Sequence, residues 1–119
     1  MIALSQENVT LIPTSHHVFA TSHVLVSNSA PIWTVDSATT KHVARNRVRF
    51  VEYCQILVGS RDIKVGSGAS VEVLGIGTYK LELQGGHILL LHDVLYAPEI
   101  RRNLLSVVTL LRLGFRFIF

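Results

Sequence analysis

The segment "DIKVGSGASVEVLGIGTYKLELQGGHILLLHDVLYAP", Asp62 to Pro98, restricts the fold more than any other part of the chain. Ile63 and Val65 flank Lys64, Val71 and Val73 flank Glu72, and Tyr79, Leu81 and Leu83 alternate with Lys80, Glu82 and Gln84. A period of two puts apolar side chains on one face of a strand and polar ones on the other. "GSG" and "GIG" read as breaks between strands, and Gly85-Gly86 is a hairpin signal. "HILLLHDVLYA" then supplies a further strand or two, ending at Pro98.

The flanking segments extend this pattern. "IWTVD" reads as a short strand running into a loop, and "RFVEYCQILV" as an irregular strand pair. Leu104, Val107, Val108 and Leu111 stand at i, i+3, i+4 and i+7, which predicts one helix over Leu104–Leu113. Asn103 is placed to cap its start or the turn before it, and Gly114 falls where a C′ glycine belongs. "FRFIF" predicts a final short strand. Residues 1–31 are rich in Ser, Thr, His and Asn and read as a linker or flexible arm, with a short strand at Val24–Val26. The domain expected over 32–119 is mostly β: a small closed or partly closed β-barrel with one short C-terminal helix.

Composition narrows the function. With 119 residues, 49% of them apolar and 16% charged, the chain can bury a core and fits one small domain. The net charge is +3, and much of the excess sits in "KHVARNRVR". No aromatic side chain interleaves with these cations, so the run reads as a solvated connection between strands, and nucleic acid is not an expected partner. Cys54 is the only cysteine, which excludes an intrachain disulfide and fits a reducing compartment. The six histidines match no zinc spacing and read as scattered surface residues, so no metal is expected. No apolar run reaches the roughly 18 residues of a membrane span, and "MIALSQENVT" lacks the build of a secretion signal.

Three ordered blocks, "WTVDSATTKH", "IKVGSGASVEVLGIGTYKLEL" and "DVLYAPEIRRNLLSVVTLLRLG", resemble the protease region of Copia-type retrotransposon polyproteins. The resemblance covers Ile32 to Phe119. It implies a retropepsin-like β-barrel that acts as a homodimeric aspartic endopeptidase on its own polyprotein, in the cytoplasm and within virus-like particles, without a cofactor. No zinc knuckle and no integrase or polymerase motif stands in these residues, so the chain reads as one domain of a polyprotein or a truncated relic of one.

Asp36 and Ser37 are the catalytic residues this resemblance implies. Two carboxylates within hydrogen-bond reach share a proton, one activating water and the other acting as the acid. Asp62 is followed by Ile63 and Asp93 by Val94, so neither looks like a second half-site. A second copy of the chain would then supply the second Asp36. Ser37 would lock the two loops together, Ala38 and Thr39 would lie against the peptide substrate, and Gly66, Ser67 and Gly68 would form the tip of a flap that bonds to it. The family pattern has Gly where this chain has Ala38, and Thr39 adds bulk beside it. The expectation is an impaired endopeptidase. The alternative is a catalytically inactive β-barrel relic or interaction module.

Overall fold

The computed structural model describes residues 2–4, 10–13, 33–36, 38–65, 67–82 and 88–118. The strands are β1 (Ile2–Leu4), β2 (Thr10–Pro13), β3 (Trp33–Asp36), β4 (Val43–Ala44), β5 (Phe50–Gln55), β6 (Asp62–Lys64), β7 (Ser70–Glu72), β8 (Gly75–Glu82), β9 (Ile88–Tyr96), β10 (Asn103–Ser106) and β11 (Phe115–Ile118), with one helix, α1 (Val107–Arg112). Seven strands form one sheet in the order β1-β3-β10-β4-β9-β8-β5, while β11 pairs with β2 and β6 with β7. Among the described residues the chain is thus mostly β with one short helix towards the C-terminus, as the sequence pattern predicts.

Of the expected closed or partly closed barrel, the closed form is not found: the sheet does not close into a barrel. The ladder ends at β1 on one side and β5 on the other, and among the described residues these two do not pair. The sheet nevertheless curls strongly. Trp33 of β3 and Tyr79 of β8 meet edge to face at 5.1 Å, although three strands lie between theirs in the ladder. Phe50 of β5 closes on Tyr79 at 5.4 Å. The inside of this curl holds Trp33, Val35, Ala44, Phe50, Tyr79, Leu81, Leu91, Val94, Leu105 and Leu110.

The central strands are covered on both faces. Ala44, Val94 and Leu105 belong to the inner cluster, while their neighbours Val43, Leu95 and Leu104 belong to a second cluster with Val73, Ala97 and Ile100. Ile63, Val65 and Val71 of the β6–β7 hairpin pack against this second cluster. A simple barrel solvates the outer face of its strands. Here that face is apolar and a separate hairpin covers it, so the sheet has a core on each side.

Local departures from the sequence reading have physical causes. Gly75-Ile76-Gly77 starts β8 instead of breaking the run. A Cβ on Gly77 would overlap the Glu52 carbonyl oxygen, and one on Gly75 the Tyr53 ring, so these glycines admit the close approach of β5. "HILLLHDVLYA" gives a single strand, β9, with a bulge: Gly77 and Tyr79 face Val94 and Leu91, leaving an extra residue near Asp93, whose φ is 55°. The helix starts at Val107, because Asn103–Ser106 is taken up as β10 beside β3. Ser106, not Asn103, is therefore its cap. Gly114 follows the C-cap residue Leu113 with φ 91°.

Two strands, β1 and β2, fall inside the segment 1–31 and pair with β3 and β11. The strand expected at Val24–Val26 and the Gly85-Gly86 turn lie outside the described residues. The ladder between β8 and β9 runs as far as Glu82 opposite Ile88.

Candidate functional site

Asp36 is the last residue of β3, where the apolar run Trp33-Thr34-Val35 gives way to small and hydroxylated residues. Parallel pairing with β10 brings Leu105 opposite Val35 and Ser106 opposite Asp36. A strand end beside another strand end that turns straight into a helix leaves the Asp36 carboxylate half-buried at the rim. Its Oδ1 accepts the Ala38 N–H at 2.8 Å. That N–H is what a glycine at the same place would offer, so the substitution keeps it. The Ala38 side chain is exposed.

The loop after Asp36 is clamped from below by the head of α1. The Ser106 hydroxyl accepts the Thr109 N–H at 3.2 Å as an N-cap and donates to the Thr39 carbonyl at 2.8 Å. The Thr109 hydroxyl donates to the Thr40 carbonyl at 2.8 Å. The two hydroxyls also lie 3.0 Å apart. Ser106 has one proton, and the shorter carbonyl contact takes it. Thr39 is half-buried, and its own hydroxyl donates to the Lys41 carbonyl at 3.0 Å, knotting the turn.

His42 closes the loop. It is buried at 2% exposure, and its Nδ1 accepts the Ser106 N–H at 2.9 Å, which places the ring proton on Nε2. Its carbonyl accepts the Leu95 N–H at 2.9 Å. Burial, reinforced by the charge of Lys41, lowers its pKa to about 4, so the ring stays neutral well into the acid range. The expectation of scattered surface histidines fails here. A neutral imidazole satisfies the backbone N–H that the strand-to-helix switch at Ser106 would otherwise leave buried and unpaired.

Ser37 and Gly66 lie outside the described residues. Ser67 and Gly68 are exposed at the tip of the β6–β7 hairpin, where the Gly68 N–H donates to the Val65 carbonyl at 2.8 Å and φ at Gly68 is 86°, a value glycine adopts without strain. Among the described residues, no hydrogen bond joins this tip to the Asp36 loop. Asp62 lies on β6 and Asp93 on β9, neither of which pairs with β3. The family resemblance also implies that "RRNLLSVV" packs beneath the Asp36 loop, and the pairing of β10 with β3 puts "NLLS" there; the hydroxyls of Ser106 and Thr109 and the His42 ring, which hold the loop, were not singled out from the sequence. The Ser-x-x-Thr spacing at a helix start was the available signal for the first two.

The fold and the site thus define a curled, open β-sheet domain with an aspartate at the end of one strand, locked to a neighbouring strand–helix junction. Residues 33–115 match the family described as "Pol polyprotein, beta-barrel domain", and the chain belongs to this family in its Copia-type retrotransposon form. It is 32% identical over 87 residues, 73% of its length, to the retrovirus-related Pol polyprotein from transposon TNT 1-94 of Nicotiana tabacum. It is 31% identical over 75 residues, 63% of its length, to that from transposon RE1 of Arabidopsis thaliana. The matched stretches amount to 6% and 5% of those two proteins. No solved structure matches the chain.

Proposed function

We propose that the chain is one half of a homodimeric aspartic endopeptidase that acts on its own polyprotein, with turnover lowered by Ala38 and Thr39. The observation that carries this reading is the Asp36 loop: a strand-end carboxylate oriented by the Ala38 N–H and braced by Ser106, Thr109 and His42. So many contacts hold a short exposed loop to one geometry, which is what catalysis needs and a bare connection does not.

In the dimer, the two Asp36 carboxylates share one proton. The ionised one takes a proton from water as the oxygen attacks the peptide carbonyl, and the protonated one donates to the carbonyl oxygen. Collapse of the tetrahedral species returns a proton to the leaving amine. Ser37 locks the paired loops, and Ser67 and Gly68 reach the peptide backbone from the hairpin tip. The test is cleavage of a peptide library at mildly acid pH by the natural chain, Asp36→Asn and Ala38→Gly. Activity is expected in the natural chain, absent from Asp36→Asn and higher in Ala38→Gly. Equal rates for the natural chain and Asp36→Asn would refute the assignment. No cleavage by any of the three would leave the alternative, a catalytically inactive relic or interaction module, which the replacement of the family's glycine by Ala38 and the bulk of Thr39 favour.

A further inference from the structure

We propose that the turn joining β4 to β5, together with the turn joining β9 to β10, forms a binding surface for single-stranded nucleic acid. Arg45 and Arg47 lie on the first turn and Arg101 and Arg102 on the second, and all four are exposed. More than fifty residues separate the pairs in sequence, and the fold joins them. The Arg45 guanidinium donates from Nη1 to the Arg101 carbonyl at 3.1 Å, and the Arg45 N–H donates to Oδ1 of buried Asn103 at 2.9 Å. The Phe50 N–H donates to the Arg47 carbonyl at 3.1 Å, closing the first turn.

None of these cations pairs with an acidic side chain among the described residues. Among the described residues, Arg49–Glu82 at 3.4 Å is the one ion pair, so neither Glu52 nor Glu99 pairs with any of the four. A cluster of exposed guanidiniums without acidic partners among the described residues favours a polyanion, which releases counterions on binding.

The second observation selects the kind of polyanion. The Arg47 guanidinium carbon lies 3.8 Å from the centroid of the Tyr53 ring. Tyr53 is itself braced edge to face by Phe50 at 5.6 Å and Tyr96 at 5.8 Å. The guanidinium is thus held as a plane on an aromatic support, and its exposed side offers a stacking face. Unpaired bases stack on such planes, whereas an acidic peptide uses only the charge, and a duplex keeps its base faces covered. The aromatic element absent from "KHVARNRVR" is supplied by Tyr53 through space.

The test is fluorescence anisotropy with a labelled oligouridylate of about 20 nucleotides, long enough to span the patch, titrated over a range of salt. Polyglutamate and a duplex of equal length serve as competitors. The expected slope of log affinity against log salt is about −3, from four phosphate contacts at about 0.7 each. Arg47→Lys keeps the charge and should weaken binding about tenfold with the slope unchanged. Arg101→Glu with Arg102→Glu should flatten the slope and nearly abolish binding, while thermal melts show both variants folded. Unchanged affinity in Arg47→Lys, or equal competition by polyglutamate or duplex, would overturn the proposal, as would no salt-dependent binding.

Discussion

The burial of His42 makes a quantitative statement about stability and pH. Its pKa falls from 6.5 to about 4 on folding, because burial and then the Lys41 charge disfavour the imidazolium. The folded value lies below the unfolded one, so as pH drops the unfolded chain takes up this proton first. Stability from this residue is therefore complete above about 6.5 and is lost progressively down to about 4. The full loss is about 3 kcal/mol, and about 2 kcal/mol is already gone at pH 5, where a cleavage assay would be run. The perturbation is His42→Asn, which can still present an oxygen to the Ser106 N–H but does not titrate. Urea unfolding of both proteins between pH 7.5 and 4.5 gives the stability difference at each pH. The natural chain should be more stable at pH 7.5, and its advantage should shrink by about 2 to 3 kcal/mol across the range. Carboxylate titrations are common to both proteins and cancel. A difference that stays constant with pH would show that His42 is not held neutral, and the account of the Ser106 N–H would fall with it.

Two further substitutions probe the site and the core. Ser106→Ala removes both the helix cap and the bond to the Thr39 carbonyl, and should cost about 1 to 2 kcal/mol in urea unfolding; an unchanged midpoint would mean the loop does not depend on α1. The Tyr79 hydroxyl is buried with no partner among the described residues, and burial raises its pKa, so Tyr79→Phe should leave stability unchanged or raise it by up to about 1 kcal/mol in thermal melts, where a clear loss would reveal an unrecognised bond.

What was legible in the sequence was whatever local periodicity controls. Tyr79 and Leu81 alternate with Lys80 and Glu82 because one face of β8 lies in the core, and the strand is found where the pattern puts it. The helix beginning was misread for the opposite reason. Leu104 fits a helical stripe, but parallel pairing with β3 outweighs that local preference as far as Ser106. Barrel closure was not legible, because a two-sided core looks the same as a one-sided one when Val43-Ala44, Val94-Leu95 and Leu104-Leu105 are short apolar pairs. At the site, Asp36 was found from its neighbours in sequence. The resemblance placed "NLLS" beneath it, but the hydrogen bonds of Ser106 and Thr109 to carbonyls about 70 residues away are legible only in the fold.

Ala38 separates the cost of folding from the cost of assembly. Its N–H serves Asp36, and its methyl group is exposed, so within one copy the methyl meets no core. Replacing it with glycine then removes no buried contact and only frees the unfolded chain, which should lower stability by about 0.4 to 1 kcal/mol. In the proposed dimer the same methyl stands where the second loop and the peptide approach, and removing it should raise cleavage per mole of enzyme. The two effects have opposite signs, and this distinguishes the explanations. If Ala38→Gly instead stabilises the chain, the methyl group strains the loop within a single copy, and its cost does not belong to assembly. If stability falls as expected but cleavage in the natural chain and the variant is equal, Ala38 does not limit turnover, and Thr39 becomes the residue to change. Rates measured across a dilution series add the last constraint. A dyad built from two Asp36 residues must lose activity more than proportionally below the dimer dissociation constant, whereas a rate strictly proportional to protein concentration in a monomer would refute the shared carboxylates.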